Sequence, residues 1–321
     1  MQEFGRDLMA NVITLHRGLV DGSYKHSPYK AFKINDPKPR DIHKATVRDR
    51  LLHHAIHRML YPFFDRVFVT DSYSCQIGKG THKAIQRFRS FSYKVTENHT
   101  KTAWVLKCDI KKFFATINQA TLLSILATYI PDKNILTLLV EIVGSFSSIE
   151  KGMGLPLGNL TSQLLVNVYM NEFDQFMKHK IKAKYYVRYA DDFVVMSQDR
   201  AWLESILPRI EGFLWTRLKL RLHPNKISIR TIASGVDYLG WVHFNDHRVL
   251  RTVAKRRMFR RLKDSGYNSA SVQSYLGLLK HGNTSKLRDM LEFEFTFLFL
   301  AYPGERSYLD DRNANSNSRH Y

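Results

Sequence analysis

Lys184-Tyr185-Tyr186-Val187-Arg188-Tyr189-Ala190-Asp191-Asp192-Phe193-Val194-Val195-Met196-Ser197 is the stretch whose reading decides the fold. Two runs of aromatic and β-branched residues flank an adjacent pair of carboxylates. Runs of this composition form strands, so a tight hairpin with Asp191 and Asp192 at its tip is predicted. Like charges on neighbouring residues repel, and the pair costs stability unless a cation sits between them. A hard, oxygen-seeking ion such as Mg²⁺ suits these donors.

A second strand is predicted upstream. Over residues 103–109 the side chains alternate, with Trp104, Leu106 and Cys108 on one face and Val105, Lys107 and Asp109 on the other. This strand delivers Asp109 at its end. If the hairpin lies beside it, Asp109, Asp191 and Asp192 meet at one edge. Three such carboxylates suffice for two-metal phosphoryl transfer, in which ions ~3.5–4 Å apart steady the attacking and leaving oxygens. The other acidic pair, Asp310-Asp311, lies in a polar tail and reads as a solvated turn.

Working outward, apolar spacing predicts helices over 7–20, 47–60, about 81–89, 120–129, 134–144, 160–180 and 201–218, the last kinked or started by Pro208. A strand running into a loop is predicted over Ala31–Arg40, and further strands near 226–232 and 236–244. This order suits an α+β palm, an antiparallel sheet with helices packed on one face. From about Val249 the composition turns basic and helical. Lys255, Arg256, Arg257, Arg260, Arg261 and Lys263 are placed on one helix face, with Val253, Phe259 and Leu262 on the other. The predicted organisation is 1–100, 101–245 with the catalytic carboxylates, a small helical subdomain at 246–300, and a disordered polar tail at 301–321.

The charge balance points to a polyanionic partner. There are 49 Lys and Arg against 29 Asp and Glu among 321 residues, a formal +20, and nucleic acid is the usual partner for such a surplus. Clustered arginines at 256, 257, 260 and 261 suit duplex phosphates, whose binding falls steeply with salt. No apolar stretch approaches the ~20 residues that span a bilayer, and the N-terminus lacks a signal-peptide pattern. Cys75 and Cys108 form no CxxC pair, which fits a reduced cytoplasm. His53-His54-Ala55-Ile56-His57 lacks the Glu of a zinc helix, and Gly78-Lys79-Gly80-Thr81 lacks the spacing of a phosphate loop.

Tyr189-Ala190-Asp191-Asp192, with Val105-Leu106-Lys107-Cys108-Asp109-Ile110-Lys111-Lys112-Phe113-Phe114 upstream, resembles the palm of a reverse transcriptase. Pro39-Arg40 through Arg50 resembles a fingers motif of the group II intron-like enzymes, and Ser74–His82 resembles their next motif. Val236-Asp237-Tyr238-Leu239-Gly240 resembles a primer-grip turn, and Ser274–His281 a thumb helix. The resemblance covers most of residues 28–300 and implies a right-hand polymerase fold of fingers, palm and thumb. It implies that Asp109, Asp191 and Asp192 hold two Mg²⁺ ions, or Mn²⁺ in their place, with the Ile110 carbonyl as a further ligand. It places Phe114 as the ring that excludes a ribose 2′-OH and Arg40, helped by Lys38, on the triphosphate, where a guanidinium forks onto phosphate oxygens. Lys226 is either the proton donor to pyrophosphate or an exposed strand lysine. Tyr189, Tyr238, Leu239 and Gly240 are expected at the primer.

One departure narrows the family. Most reverse transcriptases carry Gln-Gly-x-x-x-Ser-Pro before the long helix, whereas this chain has Leu157-Gly158-Asn159-Leu160-Thr161-Ser162-Gln163. That form resembles the enzymes of diversity-generating retroelements, which copy a template-repeat RNA with errors opposite adenine. Gly158 permits close backbone approach to the new base pair, while Leu157 lacks the amide that helps discriminate between pairs. The resemblance implies dNTPs, a template RNA, a primer/cDNA duplex and a small basic accessory protein, its oligomeric state left open. The rivals are a group II intron or retron enzyme, the former disfavoured because no maturase or endonuclease segment follows the thumb, and an RNA-binding protein with a vestigial site. The start of the chain lies close to the first fingers helix, where an upstream piece is conceivable.

Overall fold

The computed structural model describes residues 2–35 and 39–301. The chain divides into two compact units, Met1–Thr231 and Ile232–Tyr321.

The first unit opens with helices α1 (Gln2–Arg6) and α2 (Leu8–Val20), strands β1 (Lys30–Ile34) and β2 (Arg40–Lys44), and helices α3 (Val47–Val67) and α4 (Thr81–Val95). Sequence patterning predicts only one strand here. The second forms because β2 pairs antiparallel with β1, from Lys30↔Lys44 to Ile34↔Arg40. Pro39 stands just before β2, where its missing N–H costs no ladder bond. Helix α3 runs past its predicted end and through Pro62, because Leu60, Tyr61 and Phe64 continue its buried stripe. Phe91 and Val95 extend α4 in the same way.

Next come β3 (Trp104–Asp109), the short α5 (Phe113–Thr116), α6 (Gln119–Tyr129), α7 (Lys133–Gly144) and α8 (Leu160–Gln175), which widens into a π-helical turn over Phe176–Lys180. Strands β4 (Tyr185–Tyr189) and β5 (Asp192–Ser197) form the predicted hairpin. Helix α9 (Arg200–Leu218) contains Pro208 in its interior, so the proline does not start it, and the Asp199 side chain caps it by accepting from the Trp202 N–H at 2.9 Å. Strand β6 begins only at Ser228 and runs to Thr231, and Lys226 closes a 3₁₀ turn ahead of it rather than lying in a strand.

Four strands make one antiparallel sheet in the order β4-β5-β3-β6. Leu106, Cys108, Tyr186, Phe193 and Val195 share a buried apolar cluster with Leu164, Tyr169 and Phe173 of α8 and Leu203, Ile206, Ile210 and Leu214 of α9. Helix α4 adds cover at β4, with Phe91 5.3 Å from the Tyr185 ring.

A buried ion pair locks the hairpin to this core. Arg188, 1% exposed, donates through Nε and Nη2 to the two oxygens of Asp174 on α8, at 2.7 and 2.6 Å. Its remaining donors reach the Ala190 carbonyl at 3.0 Å and Ser72 Oγ at 2.8 Å, and Tyr186 OH donates to Asp174 at 2.6 Å. Burial alone would push the guanidinium pKa down, but the Asp174 carboxylate outweighs it and holds the value above the usual range. The backbone of residues 71–73 joins the β4 edge through Arg188 N–H to Asp71 O and Tyr73 N–H to Arg188 O, both 3.0 Å.

The second unit holds a three-stranded sheet, β7 (Val236–Tyr238), β8 (Trp241–His243) and β9 (Arg248–Leu250), then helices α10 (Thr252–Asp264), α11 (Ser269–Leu279) and α12 (Ser285–Ala301). The single strand predicted over 236–244 is two strands, turned at Leu239 (φ +50°) and Gly240 (φ +88°). On α10 the buried residues are Met258 and Leu262, four apart, while Val253 is 62% exposed and does not share their face. The tail from residue 302, predicted to be disordered, lies outside the described residues.

Replacing Arg188 with Met leaves Asp174 buried without its counter-charge, and the expected cost is about 3–5 kcal/mol. The double replacement Arg188→Met with Asp174→Leu is expected to recover part of that loss. Urea unfolding of the two variants beside the wild type measures both.

Candidate active site

The register of β3 against β5 sets Asp109 directly opposite Asp192. Asp191 falls in the turn between β4 and β5, where Ala190 takes φ +54°. The Ile110 N–H donates to the Asp191 carbonyl at 3.1 Å, which ties the turn to the end of β3. The three carboxylate residues and Ile110 therefore gather at one end of the sheet, the arrangement expected from the sequence.

Two lysines meet this acidic edge. Lys226 Nζ donates to both oxygens of Asp109, each at 2.8 Å. Lys107, not among the residues expected at the site, brings Nζ to 3.5 Å from Asp192 Oδ2. The signal was present in the alternation that puts Lys107 and Asp109 on one face. The other Asp192 oxygen, Oδ1, is buried without a hydrogen-bond partner. Burial pushes the Asp192 carboxyl up to about 7, with Asp191 and Asp109 adding to the rise and Lys107 opposing it. Asp191 is also raised, first by burial and then by Asp109, against the charges of Lys226 and Arg40.

Among the described residues, no three His, Cys, Asp or Glu side chains close around one point. The donor set nonetheless fits hard divalent ions. It consists of carboxylate oxygens, one of them buried and unpaired, in a place where an added positive charge relieves mutual repulsion.

The loop 152–158 brings further residues to β2 and α5. Gly154 N–H donates to Ile117 O at 2.7 Å, Leu155 N–H to Phe114 O at 2.9 Å, and His43 N–H to Leu157 O at 2.9 Å. Asn159, also missed in the sequence, is buried and clamps the end of β2. Its Nδ2 donates to His43 O at 2.7 Å and its Oδ1 accepts from Ala45 N–H at 3.3 Å. Arg40, the first residue of β2, thus shares a hydrogen-bonded assembly with Leu157 and Gly158. Phe114 is half-buried with its ring 5.6 Å from Phe113. Tyr189 OH accepts from Thr81 Oγ1 at 3.1 Å. Lys38 lies outside the described residues.

Residues 33–243 match the family of reverse transcriptases, RNA-dependent DNA polymerases. The chain belongs to that family. Protein YkfC of Escherichia coli K12 is 27% identical over 275 residues, covering 73% of this reverse transcriptase and 69% of YkfC. The group II intron-encoded protein LtrA of Lactococcus lactis subsp. cremoris is 21% identical over 314 residues, 75% of this chain and 50% of LtrA. The apo telomerase of Candida tropicalis shares the fold with a TM-score of 0.57 at 10% identity, over 89% of this chain and 59% of that one. The chain spans about half the length of LtrA and somewhat more of the telomerase. No helix among the described residues is long and apolar enough to cross a membrane.

The remaining sequence-predicted residues of this reverse transcriptase lie in its second unit. Tyr238 is fully buried, so its side chain is not available to a primer; the Leu239-Gly240 turn beside it is partly exposed. The burial follows from β7–β8 pairing, which turns Tyr238 inward opposite Trp241. On α10, Arg256, Arg260 and Arg261 are exposed and Arg257 is half-buried.

Gly158 takes φ +109°, and a Cβ there would meet Ile42 Cγ2 at 2.8 Å. Gly158→Ala is therefore expected to displace β2 and with it Arg40. The expected readout is a KM for dNTP raised on the order of tenfold, with the fold retained, because backbone strain of this kind costs on the order of 1–3 kcal/mol. Steady-state primer extension and thermal unfolding measure the two.

Proposed function

We propose that this chain copies RNA into DNA at the edge formed by Asp109, Asp191 and Asp192, in the manner of the group II intron-like reverse transcriptases. The observation that carries this is the β3–β5 register, which sets Asp109 opposite Asp192 with Asp191 in the adjoining turn. When bound, divalent ions, Mg²⁺ or Mn²⁺, supply charge neutralisation at the attacking and leaving oxygens. The chain's own part is to hold the carboxylates, with the Ile110 carbonyl beside them. Arg40 binds triphosphate oxygens, Phe114 selects a deoxyribose, and Gly158 leaves room for the new pair. Lys226 stands as proton donor to the leaving group. Tyr189 and the Leu239-Gly240 turn meet the primer, and the α10 arginines meet duplex phosphates. Primer extension with Mg²⁺ on a defined RNA template tests the proposal. Asp191→Ala is expected to lose on the order of a thousandfold or more in rate; a variant as active as the wild type overturns it.

Within that lineage we propose the diversity-generating retroelement type, with an RNA template repeat and a small basic accessory protein as partners. Leu157 and Gln163 support this, since an aliphatic side chain beside Gly158 cannot offer the hydrogen bonds of a glutamine. Sequencing the cDNA and scoring errors by template base checks it. Errors should concentrate opposite adenine, and Leu157→Gln should lower them selectively. An even error spectrum, unchanged in Leu157→Gln, favours instead the group II intron type, to which the similarity with LtrA points.

A further inference from the structure

We infer that Lys226 is a latch on the metal site: it occupies Asp109 until a nucleotide triphosphate draws it away, so that divalent ions load together with the nucleotide. This rests on the proposed function of the site. Lys226 Nζ takes both Asp109 oxygens at 2.8 Å, the same oxygens a divalent ion would need. An ammonium and a divalent ion cannot share them, because the like charges repel at that separation.

The latch is built into the backbone. His223 N–H donates to Asp109 O at 2.8 Å and Lys111 N–H to Arg221 O at 2.9 Å, so residues 221–223 run beside the end of β3. The 3₁₀ turn Pro224–Lys226 follows, closed by Lys226 N–H to His223 O at 2.9 Å. The turn aims the lysine back at Asp109, and its side chain remains 41% exposed, so it swings into solvent without disturbing the core. Lys107 differs, being 19% exposed and 3.5 Å from Asp192, the geometry of a fixed counter-charge. The group that would release Lys226 is a polyanion arriving at the same edge. The triphosphate that Arg40 is placed to bind, within reach of Asp191, has that chemistry.

Lys226 acts here through Asp109 as a positioning residue, so the test reads ion binding rather than turnover. Free Mn²⁺ is measured by electron paramagnetic resonance over the full chain, without primer. The measurement is made with and without a deoxynucleoside triphosphate and corrected for Mn²⁺ held by the nucleotide alone. Without nucleotide, Lys226→Met should bind Mn²⁺ at least about fivefold more tightly than wild type, and added nucleotide should raise its affinity less than it raises that of the wild type. Lys226→Arg keeps the charge and two donors and should behave as wild type. Lys133→Met, which removes an exposed charge at the start of α7, should also leave affinity unchanged. Equal or weaker Mn²⁺ binding by Lys226→Met, or the same nucleotide enhancement in both, overturns the latch. Primer extension by the wild type reports separately on the polymerase function.

Discussion

The buried pair of Arg188 and Asp174 is the constraint on which the rest of the palm depends. A guanidinium with 1% exposure has no access to water, so its donors must be met by the protein. The four hydrogen bonds formed by Nε, Nη1 and Nη2 meet that need and together tie three parts of the chain: α8 through two bonds to Asp174, the segment before α4 through Ser72, and the turn between β4 and β5 through the Ala190 carbonyl. An apolar residue at 188 would bury as well but would leave the turn carbonyl unbound. The ion pair therefore acts on geometry, holding in place the turn that carries Asp191.

Held in that way, the turn concentrates negative charge at a half-buried edge, and the chain answers with two lysines of unlike character. Lys107 is packed within the sheet and adjusts the potential around Asp192. Lys226 arrives from a 3₁₀ turn with its head exposed and clasps Asp109 through both oxygens. Burial first, and the neighbouring Asp191 and Asp109 after it, keep the Asp192 carboxyl raised even so. In the proposed latch, a site stable without ions and ready to accept them needs a counter-charge that can be released, and the exposed lysine is placed to provide it.

The side of the site proposed for the nucleotide rests on backbone hydrogen bonds rather than charge. Loop 152–158 bonds to β2 and α5 on either side, and Asn159 clasps the end of β2. Arg40 would otherwise sit on an exposed two-stranded ribbon, an element of marginal stability alone. Gly158 brings the loop so close to Ile42 that no Cβ fits between them. Residue 157, a leucine in this chain, sits where its carbonyl holds the strand that carries Arg40.

Much of this was legible in the sequence because it depends on local periodicity. Alternation over 103–109, the hairpin around Asp191-Asp192 and the apolar stripes of the long helices follow from strand and helix geometry alone, and they led to the sheet and its acidic edge. Strand β2 was not legible, since its side chains are mostly exposed and its order comes from pairing with β1 and from Asn159, 114 residues away from Ala45. Likewise nothing local marks Arg188 as buried or Tyr238 as an inward-facing side chain, and the alternation that puts Lys107 on the face of Asp109 does not name Asp192 as its partner. The sequence by itself determined the residue types proposed for the reaction and most of the elements that carry them. Only the tertiary structure decided which charges face one another, because the partners of Arg188, Asp109 and Asp192 come from distant segments whose meeting depends on packing rather than on spacing.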